Sequence, residues 1–207
     1  NVHLWNGKKD PFLYTVRGTL RSEEGEILDE VKTKVGFRTF RVDPKKGFFL
    51  NGVAYPLRGV ARHQDRPLVG NAITKKDMEE DMDYQHDQYF YDLCDQYGLI
   101  VWAEIPYISK YLPEGDQHAK SQLSELIHQC YNHPSIICWG ISNEITKFRK
   151  TFGKECRAHH KELNEYAHQE DENRLTTIAC FSVMNIFNRV AHITDLASYN
   201  LYWGWYV

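Results

Sequence analysis

Glu144 is the residue best placed for chemistry in this chain of 207 residues. It closes the run Ser135-Ile-Ile-Cys-Trp-Gly-Ile-Ser-Asn-Glu144, which carries no charge before its last position. An uncharged apolar run of this kind reads as a strand buried on both faces, as in a parallel sheet. The carboxylate then stands just past the strand's C-terminal end, where βα architectures carry their reactive groups. A carboxyl group held there in apolar surroundings has the chemistry of a general acid/base, because burial favours its protonated form. Its bland alternative is a carboxylate capping the next helix. Asn143 beside it is a hydrogen-bonding amide or a turn residue.

The elements that would position these two residues change character along the chain. Residues 12–20 and 28–35 read as strands, separated by the polar turn Glu23-Glu-Gly-Glu26, and 36–42 as another short strand. Two or three antiparallel strands do not bury a core of their own, so residues 1–41 read as the end of a β-sandwich. Asn51-Gly52 between apolar runs marks a hairpin. From residue 42 the pattern turns to alternating strands and helices, the mark of a parallel α/β domain over 42–207. Strands are expected at 57–61, 99–104 (buried), 135–142, 175–180 and 196–201. Helices are expected after a cap at Thr74, at 87–97 with Gly98 as its stop, at 118–131 and at 152–169. One junction breaks the rhythm. The helix through Met82 runs straight into Asp83-Tyr-Gln-His86 and another helix. Successive parallel βα units need a strand between two helices, so a second strand is missing near 82–83.

Composition excludes some partners. The net charge is -3 and the basic residues are scattered, which argues against nucleic acid and against a membrane surface. No apolar stretch approaches the ~18 residues a membrane span needs. The five cysteines form no Cys-x-x-Cys and no zinc-ligand spacing. Cys138 and Cys180 lie inside apolar strands and read as buried free thiols, which fits a reducing, cytoplasmic setting. The 13 Tyr, 10 Phe and 5 Trp serve core packing first and sugar stacking second. His159-His160 and the remaining histidines show no ligand spacing and are expected at the solvent face.

A series of short motifs, in order along nearly the whole chain, resembles glycoside hydrolase family 2, the family of β-galactosidases and β-glucuronidases. They are Val35-Gly-Phe-Arg-Thr-Phe40, Phe49-Leu-Asn-Gly52, Leu57-Arg-Gly-Val-Ala-Arg-His-Gln-Asp65, Tyr91-Asp-Leu-Cys-Asp-Gln-Tyr-Gly-Leu99, Trp102-Ala-Glu-Ile-Pro106, Asn132-His-Pro-Ser135, Trp139-Gly-Ile-Ser-Asn-Glu144 and Tyr199-Asn-Leu-Tyr-Trp-Gly-Trp-Tyr206. The resemblance implies an immunoglobulin-like β-sandwich, of which 1–41 is the end, followed by a (β/α)8 TIM barrel. The barrel would be incomplete here: strands seven and eight fall beyond Val207.

The resemblance also implies the site. Glu144 would be the acid/base of a retaining, double-displacement glycosidase, and the nucleophile, a Glu ending the seventh strand, would lie outside this chain. Such enzymes need two carboxyl groups about 5–5.5 Å apart. Asn143 would bind the sugar 2-hydroxyl, His63 would lie in the terminal-sugar pocket, and Asp65 would share that loop. Asn200 and Tyr202 would face the reacting centre, with Trp205 as a stacking wall. Glu104 would brace these residues. Some members bind Mg2+ through a Glu a few residues past Glu104. Ile108 stands there, so neither a metal nor another cofactor is expected. The substrate would be a carbohydrate, and family habit implies a homo-oligomer. Arg62-His-Gln-Asp-Arg66 looks more like the galactosidase branch, so terminal β-D-galactosides are the expected substrates. The alternatives are β-glucuronides, or a non-catalytic carbohydrate-binding fragment.

Overall fold

The computed structural model describes residues 1–59, 88–145, 153–181 and 190–201. They fall into two compact units, one of residues 1–101 with 132–136, the other of residues 102–131 with 137–207.

The first unit opens with an antiparallel ribbon of β1 (Tyr14–Arg21) and β2 (Ile27–Val35), with a register shift at Leu20/Arg21. Its alternating apolar residues Val16, Leu20, Ile27 and Val31 remain exposed, as expected of a sheet layer seen apart from the layer it would pack on. The strand expected at 36–42 begins only at Phe40, giving β3 (Phe40–Asp43). It pairs with β4 (Gly47–Leu50), which turns through Asn51-Gly52 into β5 (Val53–Ala54). Both turn residues have positive φ, 50° and 81°, the backbone that suits a two-residue hairpin and that Asn and Gly tolerate best. Residues 55–59 carry no regular structure, where the start of a strand was expected. Helix α1 (Gln88–Tyr97) ends at Gly98 as its sequence requires. Gly98 has φ 71°, and a Cβ there would collide with the Gly7 backbone.

A polar network holds this unit together around Asp95. Asp95 accepts from the Ser135 backbone N–H at 3.0 Å and meets His133 Nδ1 at 2.7 Å, and its carbonyl accepts from Trp5 Nε1 at 2.8 Å. The Arg38 guanidinium donates to the carbonyls of Pro134 and Ile136. Trp5, Leu50, Tyr91 and Cys94 pack as the apolar core. Fully burying such side chains contributes about 1.5–3 kcal/mol each.

The second unit is built on a four-stranded sheet in the order β6 (Val101–Glu104), β7 (Ile136–Asn143), β8 (Leu175–Phe181), β9 (Leu196–Asn200). β7–β8 and β8–β9 are parallel. Helices α2 (Asp116–Cys130) and α3 (Gly153–Glu170) supply the crossovers. Neighbouring strands are consecutive in sequence, as in a βα barrel. All of β7 except Asn143 is buried, in keeping with its uncharged run. β6 departs from its sequence reading. Trp102 stays 38% exposed, because β6 is the edge of this sheet among the described residues. Gly140 on β7 has its own reason to lack a side chain: a Cβ there would strike Glu104 Cβ and Trp102 Nε1. The five cysteines are free and buried, as the sequence suggests for Cys138 and Cys180.

Candidate active site

Strand β7 leads into Asn143 and Glu144 where it stops pairing regularly. Its register against β8 shifts between Gly140 and Ser142. Bulges of this kind re-aim side chains beside active sites. Three backbone hydrogen bonds then clamp the strand end. Asn143 N–H donates to Tyr107 C=O at 2.8 Å, Ser109 N–H donates to Asn143 C=O at 2.9 Å, and Glu144 N–H donates to Ala179 C=O at 2.8 Å. Glu144 itself has φ 54°. A left-handed backbone costs a non-glycine residue on the order of 1 kcal/mol and persists only where its surroundings impose it.

Asn200, at the end of β9, joins the group. Its Nδ2 donates to Asn143 Oδ1 at 3.0 Å and to Glu144 Oε1 at 2.9 Å. One amide thus orients both neighbours and holds a carboxyl group that is only 7% exposed. The structure brings together Glu144, Asn143 and Asn200, three of the residues expected in the site. His63, Asp65, Tyr202 and Trp205 lie outside the described residues, as do His86, the cap at Thr74 and the 82–83 junction.

Glu104 at the end of β6 is partly buried, and that burial pushes its carboxyl up to about 7. It belongs to the same sheet end as Glu144, and its burial inclines it to hold a proton near neutrality. No buried arginine pairs with it among the described residues.

The expectation that His159 and His160 face solvent is overturned. Both are buried on α3, His160 completely. His160 Nδ1 meets the Cys156 carbonyl at 2.7 Å, and its Nε2 meets Ser142 Oγ at 2.8 Å. A carbonyl only accepts, so Nδ1 carries the proton and Nε2 accepts from the Ser142 hydroxyl. Burial pushes His160 down to about 4, partly offset by its bond to Cys156. His159 packs edge-on to Tyr107 at 5.7 Å, and its two ring nitrogens have no hydrogen-bond partner. Burial lowers its pKa, against the pull of Asp116. The sequence does hold a signal for His160: Cys156, His160, Leu163 and Ala167 fall at the spacing of a buried helical stripe.

His133 is buried as well. In the first unit, ligand-type atoms of Asp92, Asp95 and His133 lie within 4.8 Å of one another. Both Asp95 oxygens are engaged, by Ser135 N–H and by His133. These bonds tie helix α1 to the segment before β7.

Residues 41–207 match the TIM barrel domain of glycosyl hydrolases family 2, and residues 1–38 match a second domain of the same family. The chain belongs to glycosyl hydrolases family 2. Its sheet of parallel strands and helices is part of that barrel. It is 42% identical to a β-glucuronidase of Bacteroides fragilis over 226 residues, covering 98% of this chain and 31% of the relative. That span exceeds the 207 residues of this chain, so the relative has residues within the matched region that this chain lacks. A β-galactosidase of Thermoanaerobacter pseudethanolicus is 36% identical over 80% of this chain and 23% of its own length. Among solved structures, an FMN-binding β-glucuronidase from Facaelibacterium prausnitzii L2-6 superposes with a TM-score of 0.92 at 42% identity, covering 99% of this chain and 34% of that one. The chain thus spans about a third of these glucuronidase relatives. No helix among the described residues is long and apolar enough to cross a membrane.

Proposed function

We propose that this chain is the acid/base-bearing part of a retaining glycosidase acting on β-D-glucuronides. The observation that carries the reading is the Asn143–Glu144–Asn200 constellation at the C-terminal end of a barrel sheet. In this reading Glu144 protonates the leaving oxygen and later takes a proton from water, while a second carboxylate from the rest of the protein attacks the anomeric carbon. Asn200 fixes the carboxyl orientation. With Asn143 Oδ1 occupied by Asn200, the Asn143 Nδ2 group is the donor that meets the sugar 2-hydroxyl. His63, Asp65, Tyr202 and Trp205 complete the sugar pocket.

The lean towards galactosides drawn from residues 62–66 gives way to glucuronides, because relatives at 42% and 35% identity over nearly all of this chain carry glucuronidase names. The 36% identity to a β-galactosidase keeps galactosides as the second reading. No metal step is proposed. Position 108, which forms a parallel bridge with Asn143, is an isoleucine and has no donor atom. The gap at 82–83 is proposed to be where the relatives' additional residues fall.

The test is turnover of aryl β-D-glucuronide and aryl β-D-galactoside by the full-length protein. Higher kcat/KM on the glucuronide, abolished in Glu144→Gln, supports the proposal. Preference for the galactoside selects the second reading. Sugar binding without turnover, unchanged in Glu144→Gln, would mean a non-catalytic carbohydrate binder.

A further inference from the structure

We propose that His160 is a positioning residue for Glu144, acting through Ser142 and Tyr107 to hold the strained end of β7; this rests on the glycosidase reading above. Two independent links run from the one imidazole to the backbone that carries Glu144. The first is the hydrogen bond from Ser142 Oγ to His160 Nε2, 2.8 Å long, two residues before Glu144 and at the register shift of β7. The second is the Tyr107 ring, stacked on His160 at 5.8 Å and 20°. The carbonyl of that tyrosine accepts from Asn143 N–H. His160 is in turn fixed by its own helix, because the Cys156 carbonyl takes the Nδ1 proton. The ring stays neutral far below neutrality, so Nε2 remains an acceptor and the link persists across the working pH of a glycosidase.

The strain explains the need for such a device. Glu144 sits at φ 54°, and its peptide would relax towards ordinary extended geometry if the flanking residues were released. A shift of about 1 Å in a catalytic group costs on the order of 100-fold in rate. His160 touches no reacting atom in this arrangement. Its effect passes through the placement of the carboxyl group.

The test uses the full-length protein with Ser142→Ala and His160→Gln, and Thr176→Val as control. Thr176 Oγ1 bonds Asn164 of α3 at 2.5 Å, an equivalent buried strand-to-helix link that does not lead to Glu144. Two substrates are compared, an alkyl glycoside whose leaving group needs protonation and a dinitrophenyl glycoside whose leaving group does not. Misplacing the acid should lower kcat/KM, which reports the first step, about tenfold or more on the alkyl glycoside and less than about twofold on the dinitrophenyl one. Equal losses on both substrates, as the control should give, overturn the proposal.

If the wild-type protein hydrolyses neither substrate, the glycosidase reading falls. Hydrogen exchange at the Asn143 and Glu144 amides then decides the positioning claim without turnover. Faster exchange there in Ser142→Ala and His160→Gln, but not in Thr176→Val, supports it. Unchanged exchange overturns it.

Discussion

The two ends of β7 are built on opposite principles. Where β8 begins beside it, the buried Asp171 carboxylate is fully engaged. Asp171 accepts from Trp139 Nε1 at 3.1 Å, from Arg174 Nη1 at 2.6 Å and from the Asn173 N–H at 3.0 Å. Arg174 also donates to the Tyr131 carbonyl at 2.7 Å, and its guanidinium lies over the Trp139 ring at 5.2 Å. Burial alone would raise the Asp171 carboxyl, but Arg174 and the other donors outweigh it and hold it low. At the far end the backbone is bulged, Glu144 is in a left-handed conformation, and a partly buried Glu104 is pushed towards neutrality. One end of the strand is arranged for stability. The other keeps backbone strain and a carboxyl group raised by burial, the usual condition of a site that does chemistry.

This contrast should separate cleanly under mutation. Glu144→Gln removes the proposed proton donor and should lower kcat/KM on substrates with poor leaving groups by about 10²–10⁴-fold. Its thermal unfolding midpoint should stay close to that of the wild type. Asp171→Ala should do the reverse. It strands a buried Arg174 and should cost about 3–5 kcal/mol of stability, read by chemical denaturation, while kcat per active molecule is kept. Loss of kcat at constant stability in Asp171→Ala would erase the distinction between the two ends.

Between these extremes lies Gly140→Ala. The added methyl meets Glu104 and Trp102, an overpacking expected to cost about 1–3 kcal/mol. Because the collision is with Glu104, it should also disturb activity, which Asp171→Ala should not.

The smallest expected effects are pH-dependent, and they run in opposite directions. Glu104 has its pKa raised from 4.5 to about 7 by burial. Its contribution to stability is therefore full below pH 4.5 and is lost as pH rises through 7. His160 is lowered from 6.5 to about 4. Its contribution is full above pH 6.5 and is lost as pH falls through 4. Replacing Glu104 by Gln should flatten the loss of stability between pH 5 and pH 8 in denaturation curves. Replacing His160 by Gln should flatten the loss between pH 6.5 and pH 4.

Sequence reasoning reached the parts of this molecule whose signals are local. The uncharged run before Asn143 marks a strand buried on both faces. Asn51-Gly52 marks a hairpin, and Gly98 a helix end. Each reflects a backbone or burial demand confined to a few neighbouring residues. The residues missed act across the fold. His160 reads as one of many polar residues on a charged helix until its spacing from Cys156 and Leu163 is counted, and its partner Ser142 is distant in sequence. The left-handed backbone at Glu144 has no sequence mark at all, since neither Gly nor Asn stands there. The alternating β2 residues point to a buried face, but what they would pack against is not among the described residues. The motif series around Trp139 to Glu144 named the family correctly. The preference for galactosides rested on five loop residues, whereas the relatives at 42% and 35% identity over nearly the whole chain carry glucuronidase names and a galactosidase matches at 36% over 80% of it.

The central claim is that Glu144 donates and accepts the catalytic proton. Its most direct test is the reaction of the full-length Glu144→Ala variant with a dinitrophenyl β-D-glucuronide in the presence of azide. The account predicts that the activated substrate is still cleaved at its first step, that azide accelerates turnover, and that the product is a glycosyl azide with retained β configuration. Loss of the first step itself, with no azide product, would contradict it.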